Sequence, residues 1–387
     1  MLLAQPAAAQ DRLLTPRAGT TLTSEGNVFR VPDSVSDPQL GRGLTGRSDR
    51  SQISYFGLRL DKAYSQQRFV VDFTQTATRF AKFRSLDRDA FEYQAEWQWR
   101  LTQRLSGKLT ASRTENLISF DDVQGTQGIV RVTTNRGATL DAWLFGGWHL
   151  LAGASQTVTS SSQTFLAQPD TRQTSGELGV RYLAASQNTI AAIGRLRRDA
   201  RPGQTADPVS LIDSGFSTTE SELSGTWVAS GRSTLNGRLT RITRRNENFA
   251  QRDFSELGGE LRYTWTPTGK LTLDATANRS VSPFTSGLGS SFRVDDTFTL
   301  TPAWRLSETV SLSARGSHRT SAFRGAVDPA AGPARRDLYR TLEISANWTP
   351  HRSVTLGLTL RRERRASTDE TANYVNGAAT LSAALTF

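Results

Sequence analysis

The last fourteen residues, Tyr374-Val-Asn-Gly-Ala-Ala-Thr-Leu-Ser-Ala-Ala-Leu-Thr-Phe387, alternate with period two. Val375, Gly377, Ala379, Leu381, Ala383, Leu385 and Phe387 share one parity; Asn376, Ala378, Thr380, Ser382, Ala384 and Thr386 share the other. Successive side chains of a strand point to opposite faces, so this pattern predicts a β-strand with one small apolar face and one hydroxyl-rich face. Such a strand suits a closed barrel in a bilayer, where lipid covers the apolar face and a wet lumen the other. The last strand of a soluble sandwich satisfies the same pattern, so the rest of the chain must decide.

Composition removes several classes. Apolar residues make up 36% of 387 residues and mean hydropathy is −0.44. No stretch approaches the roughly eighteen apolar residues a membrane helix needs, which excludes a helical membrane protein. A barrel tolerates low hydropathy because only alternate strand residues meet lipid. There is no cysteine, and His149, His318 and His351 lack ligand-like spacing, so neither a disulfide framework nor a metal site is expected. The net charge is +11, and the lysines are confined to Lys62, Lys82, Lys108 and Lys270. The remaining cations are arginines, whose planar forks favour phosphate and carboxylate. Residues 1–9, with Ala7-Ala8-Ala9, read as the remnant of a secretory signal peptide, leaving 10–387 as one domain.

A unit recurs along that domain. A strand ends in an aromatic residue, a short polar turn follows, and an alternating strand begins. The clearest copies are Tyr263-Thr-Trp-Thr-Pro-Thr-Gly-Lys-Leu-Thr-Leu273 and Trp348-Thr-Pro-His-Arg-Ser-Val-Thr-Leu356. Others pass through Leu60–Phe69, Trp97 and Trp99, Trp148, Tyr182, Trp227 and Trp304. Trp and Tyr settle at the lipid headgroup level, so Trp97, Trp99, Trp148, Tyr182, Trp227, Trp265, Trp304 and Trp348 are expected to form an aromatic girdle at the periplasmic interface. Eight short turns, with both termini on the same side, predict a transmembrane antiparallel up-and-down β-barrel of about 18 strands, or 16 if one turn is misread. A first strand is expected over Arg17–Val31, ended by Pro32.

Parity provides a test, because an outward Arg costs about 2–4 kcal/mol at the bilayer midplane and ~0–1 kcal/mol near an interface. In Phe91–Leu101 the outward set is Phe91, Tyr93, Ala95, Trp97, Trp99 and Leu101, with Glu92, Gln94, Glu96, Gln98 and Arg100 inward. The outward arginines Arg241 and Arg340 fall far from the aromatic turns, hence near the outer interface. One segment breaks the pattern: Trp143 and Phe145 fall on the inward parity, which predicts a bulge or an inward-packed loop. The predicted pore lining is Arg59, Glu92, Glu96, Arg100, Arg181, Glu260, Arg262, Arg315 and Arg361. These mixed charges suit a polar pore wall for hydroxyl-rich solutes, or a lattice of ion pairs that only satisfies buried charge. Arginines at the strand ends opposite the girdle, including Arg201, Arg244, Arg340, Arg362, Arg364 and Arg365, are expected to form a basic extracellular rim that meets an anionic polymer or lipopolysaccharide phosphates. No enzyme is expected: His318 has only Ser317 and Ser321 nearby, and strand neighbours point to opposite faces. Nucleic-acid binding is not expected either, given the scarcity of lysine and the girdle.

Glu25-Gly-Asn-Val-Phe-Arg-Val-Pro-Asp33, Gln67-Arg-Phe-Val-Val-Asp72, Phe80–Arg84 with Leu86-Asp87, and Tyr93-Gln-Ala-Glu-Trp-Gln-Trp99 resemble a known family. It comprises outer-membrane β-barrel porins encoded with exopolysaccharide operons, often alongside exosortase and PEP-CTERM systems. Gly26 stands where that family usually carries Asp, which counts against a cation site there. The resemblance implies a pore that exports exopolysaccharide together with periplasmic export proteins, with no catalytic residues and no cofactor. A general or solute-specific diffusion porin and a non-conducting structural barrel that docks the polysaccharide machinery stand beside it. Phe387 is expected to be the signal read by the barrel-assembly machinery, and the expected location is the bacterial outer membrane.

Overall fold

The computed structural model describes residues 13–32, 34–35, 46–121, 128–162, 170–284, 289–328 and 334–387. The expected signal remnant, 1–9, lies outside them, as does Asp33 of the first resemblance motif. Eighteen antiparallel strands form one sheet: β1 Leu14–Glu25, β2 Asp49–Tyr64, β3 Gln67–Phe80, β4 Arg88–Arg100, β5 Leu105–Leu117, β6 Val130–Phe145, β7 Trp148–Ser161, β8 Thr171–Leu183, β9 Thr189–Ala200, β10 Gly215–Ser230, β11 Ser233–Asn246, β12 Phe254–Trp265, β13 Leu271–Pro283, β14 Phe292–Arg305, β15 Val310–Arg324, β16 Arg336–His351, β17 Val354–Ser367 and β18 Tyr374–Thr386. Each pairs with its sequence neighbours, and β1 also pairs with β18. Closure leaves no edge strand, as a sheet in lipid requires.

The closing seam is the C-terminal strand. Its register with β1 runs from Arg17 opposite Thr386 to Glu25 opposite Ala378, and the Phe387 N–H reaches the Pro16 carbonyl at 3.1 Å. Leu381, Leu385 and Phe387 are all exposed on the outer wall. Together with Phe56, Phe73, Phe91, Leu223, Leu261, Phe298, Leu342 and Leu360, they form a belt of large apolar side chains that in water would be a severe liability.

The short turns all lie at the end where the chain begins and finishes, beside Trp97, Trp99, Trp148, Tyr182, Trp227, Trp265, Trp304 and Trp348. Seven of these eight aromatics are exposed, Trp227 at 58%, while the half-buried Trp99 lies flat over Gly107, where a Cβ would meet its ring at 2.4 Å. The irregular segment of β6 is a bulge: the register with β7 shifts between Trp143 and Phe145. Phe145 is thereby carried opposite Trp148 and is exposed, while the Trp143 indole donates to the Gly146 carbonyl at 2.6 Å and lies under Arg104.

One expectation fails. The first strand stops at Glu25 rather than Val31. Asn27 diverts the chain: its side-chain amide donates to the Val31 carbonyl at 2.8 Å and accepts from the Val31 N–H at 3.1 Å, closing a loop that competes with the strand ladder. Arg30 completes the loop in the left-handed region, at φ 54°.

Candidate functional site

With the apolar belt outward, the alternate residues of every strand face the lumen. Arg59, Glu92, Glu96, Arg100, Arg181, Glu260, Arg262, Arg315 and Arg361 all stand on that inner parity. Most engage a partner. Arg59 lies 3.4 Å from Asp61 and 4.0 Å from Asp72, and Asp72 also takes Arg17. Glu96 is 3.8 Å from Lys108, and Glu92 accepts from the Glu115 N–H at 3.4 Å. Arg181 donates to Asp141, whose other oxygen is 2.7 Å from His149 Nδ1. Arg262 donates Nε to Asp274 at 2.9 Å, Glu260 accepts from Asn278 at 3.3 Å, and Arg361 pairs with Glu363. Arg195 joins Glu177 at 2.8 Å and Glu220 at 3.0 Å.

Arg100 and Arg315 close no ion pair among the described residues, although Glu343 stands opposite Arg315 in register. Near the periplasmic end the wall encloses a cavity of about 630 Å³ lined by Arg68, Arg100, Lys108 and Arg181 against Asp141 and Glu177. Pairs open to water in this way are worth ~0–1 kcal/mol each, so they dress the wall more than they hold it together.

The extracellular mouth carries two clasps. In the first, Phe29 packs against Phe83 at 4.7 Å and Phe120 at 5.1 Å, with Val28 and Leu86 buried around them. These residues come from the loops that follow β1, β3 and β5, and Asp49 pins the second loop by accepting the Lys82 and Phe83 N–H groups at 3.0 and 2.8 Å. Arg30 reaches Glu25 at 2.8 Å, Glu363 at 3.7 Å and Asp121 at 3.9 Å. Burial works against its charge, but the carboxylates Glu25, Glu363 and Asp121 outweigh it and hold the guanidinium above its ordinary pKa. Arg365 of β17 donates to the Asp121 carbonyl at 3.0 Å and to Asp337 at 2.7 Å. Because β18 and β1–β4 separate β17 from β5 in the sheet, this link is a chord across part of the mouth.

The second clasp joins the loops after β9, β11 and β13. Arg201 donates to the Asp213 carbonyl at 2.9 Å, and Arg252 to the carbonyls of Ser290 and Ser210 at 3.0 and 2.8 Å. Burial lowers the pKa of both guanidiniums. The Asp213 carboxylate accepts from Asn248 N, Asn248 Nδ2 and Ser214 N, each at 2.7 Å. Burial pushes this acid upward, but those hydrogen bonds pull harder and leave its pKa below the usual carboxylate value. Arg244 lies 3.3 Å above the Phe216 ring.

The basic rim therefore divides. Arg201, Arg244 and Arg365 are buried against aromatic rings and carbonyls, whereas Arg340, Arg362 and Arg364 stand exposed on the outer wall. Parity carries the distinction: Arg365 shares the inner parity with Arg361 and Glu363, while Arg362 and Arg364 continue the outward row of Leu358 and Leu360. His318 points outward, away from Ser317 and Ser321: it pairs in register with the exposed Phe298.

The family model described as Putative beta-barrel porin 2 matches residues 246–387. No curated protein matches the sequence. Among solved structures, OpdK of Pseudomonas aeruginosa aligns with TM-score 0.53 and 10% identity over 97% of this chain and 99% of its own. OccK3 (OpdO) of the same organism aligns at 0.53 and 14% over 97% and 95%. A BenF-like porin of Pseudomonas fluorescens Pf-5 gives 0.53 and 12% over 96% and 98%. The chain is a porin-like outer-membrane β-barrel. At these identities the structural neighbours share its fold, and the porin-like barrel's chemistry must be read from its own lumen.

Proposed function

We propose that this porin-like barrel is a diffusion channel for small hydrophilic solutes, with small organic anions the favoured class. The observation that carries this reading is the pairing of a water-facing, charge-lined wall with an extracellular mouth partly crossed by the chord from Arg365 to Asp121. A mouth narrowed by loops suits a compact solute better than a polymer. At the periplasmic end, Arg100 adds a guanidinium without a carboxylate partner to the cavity with Arg68, Lys108 and Arg181, a setting that favours carboxylates. OpdK, a structural neighbour, has been solved with vanillate, itself a small carboxylate, and a barrel of this fold holding such a molecule supports the reading.

The comparisons favour solute diffusion over exopolysaccharide export: the matched family description and the BenF-like neighbour both name porins. The two are separated by flux. Liposomes carrying the purified barrel are expected to admit a monocarboxylate several-fold faster than a neutral disaccharide of similar size, and R100Q is expected to reduce that preference. Equal rates for both solutes, unchanged in R100Q, would sink the anion preference.

Phe387 is proposed as the residue by which the assembly machinery takes up the closing strand, on the strength of its exposed ring at the end of the seam. Its deletion is expected to lower the amount of heat-modifiable barrel in the outer membrane; an undiminished amount would remove that role.

A further inference from the structure

On the outer wall, three neighbouring strands present basic side chains in one row. His318 on β15 stands directly opposite Arg340 on β16, and Arg340 directly opposite Arg364 on β17. Arg362 lies one pleat below, opposite Leu342. Directly opposed side chains of a sheet have Cβ atoms about 5 Å apart, and like charges there repel. Three other arginines of this wall are compensated within the chain, Arg79 by Asp89 at 2.7 Å, Arg113 by Glu115 at 2.8 Å and Arg279 by Asp296 at 3.3 Å, while Arg241 meets only the Ser255 hydroxyl at 3.4 Å and opposes no other cation. Arg340, Arg362 and Arg364 meet no carboxylate among the described residues.

Height places the row at the edge of the bilayer. Arg340 lies eight residues above Trp348 on β16. At a rise of about 3.3 Å per residue and a tilt of roughly 40°, that is about 20 Å along the barrel axis, near the outer limit of a lipid belt ~25 Å tall. Below the row, Leu342, Ile344, Leu358 and Leu360 are exposed.

A second feature adjoins it. A groove of about 870 Å³ runs over the outer faces of β10–β15, walled by Leu223, Leu239, Leu261 and Phe298 and floored by Gly237 and Gly259. His318 and Thr320 line the groove as well, so its outer end opens onto the cation row. The outer end of the groove, lined also by the Arg279–Asp296 pair, lies one strand from Arg340, and a hydrocarbon channel beside a cluster of guanidiniums has the two-part chemistry of an anionic lipid.

We propose that this wall is a binding site for a phosphorylated, multiply acylated lipid of the outer leaflet. Its phosphate lies among Arg340, Arg362 and Arg364, with His318 at the flank, and an acyl chain occupies the groove over Gly237. Guanidiniums take phosphate oxygens by paired N–H donors, and the bound anion relieves the repulsion between Arg340 and Arg364. At Gly237 an added Cβ would meet nothing nearer than Leu261 at 3.8 Å, so a larger side chain there would project into the groove without disturbing the backbone.

The test is native mass spectrometry of the full barrel in detergent, titrated with diphosphoryl lipid A and, separately, with the same lipid after dephosphorylation. Wild type is expected to retain the phosphorylated form at least tenfold better. R340Q/R362Q/R364Q should lose that preference, the corresponding triple lysine variant should keep part of it, and G237L should weaken retention several-fold with the cations intact. R198Q, on the same wall but outside the row, serves as the control and should behave as wild type. Heat-modifiable mobility reports folding, and if the triple variant does not fold, R364Q and G237L carry the test. Undiminished retention in the triple glutamine variant, or equal retention of the dephosphorylated lipid, would overturn the proposal. Full competition by 10 mM inorganic phosphate would also overturn it, by showing a site for a free anion.

Discussion

The two clasps at the extracellular mouth do the same job with different chemistry. The first buries Phe29, Phe83, Val28 and Leu86 together and places its ion pairs around that apolar centre. Among the described residues the second is joined by guanidiniums on carbonyl oxygens and by the Asp213 carboxylate, with Ile212 and Phe216 buried in the same region. Apolar burial is indifferent to pH and is not weakened by moderate salt, whereas a carboxylate accepting backbone N–H groups loses its advantage once protonated. The first clasp is therefore the permanent structure and the second the conditional one.

The largest effect is expected from Phe29→Ala. Phe29 is 2% exposed, and truncating a buried Phe typically costs about 3–5 kcal/mol. Amide exchange in the loops around Phe29, Phe83 and Leu86 should accelerate, with the second clasp unchanged; acceleration in both would mean that the clasps are one cooperative unit. Next comes Asp337→Asn. The Asp337 side chain is fully buried and Arg365 nearly so, and removing one partner of such a pair costs ~3–5 kcal/mol, reduced here because Asn still accepts hydrogen bonds. Its signature is release of Asp121, read as proteolysis of the loop after β5. An unaltered cleavage pattern would remove the chord from this account.

Asp213→Ala leaves the N–H groups of Ser214, Asn248 and Phe249 without their acceptor, and because these groups are only partly buried and water can reach them the loss is about 0.5–1.5 kcal/mol for each hydrogen bond. It should loosen only the second clasp. The same contrast follows from pH. Because the folded pKa of Asp213 lies below its unfolded value, its contribution is complete above the ordinary carboxylate pKa of about 3.9 and fades as pH falls through the folded value. Lowering pH from 7 to 3 should thus reduce the protection factors, meaning exchange rates corrected for their intrinsic pH dependence, in the loops after β9 and β11 and leave those of the Phe29 cluster unchanged. The smallest effect is expected from Arg198→Ala, which removes an exposed pair with Glu247 worth ~0–0.5 kcal/mol; a measurable loss of loop protection would show that the surface charges act as a network.

Much of the barrel was legible in the sequence because its rules are periodic. Alternation in Tyr374–Phe387 and aromatic residues at the turns fix strand number, closure and facing, and even the fault at Trp143 and Phe145 shows as a break in parity. The Glu25–Val31 run defeats that reasoning because Asn27 offers its backbone a local alternative with a side-chain amide, which hydrophobic period does not record. The rim arginines were legible only in part. Their position along each strand shows that they stand near the mouth, but Arg365 is met by a loop that arrives from a distant strand and Arg244 is covered by the Phe216 ring of the neighbouring β10. Spacing within one strand carries no trace of such contacts.

Single-channel recording in a planar bilayer tests the central claim most directly. The wild-type barrel is expected to give discrete ohmic conductance steps, with anions carrying more current than cations, and Phe29→Ala larger steps as the first clasp opens. A correctly folded, heat-modifiable barrel that stays electrically silent, with Phe29→Ala equally silent, would contradict it and leave a wall of ion pairs with no solute to pass.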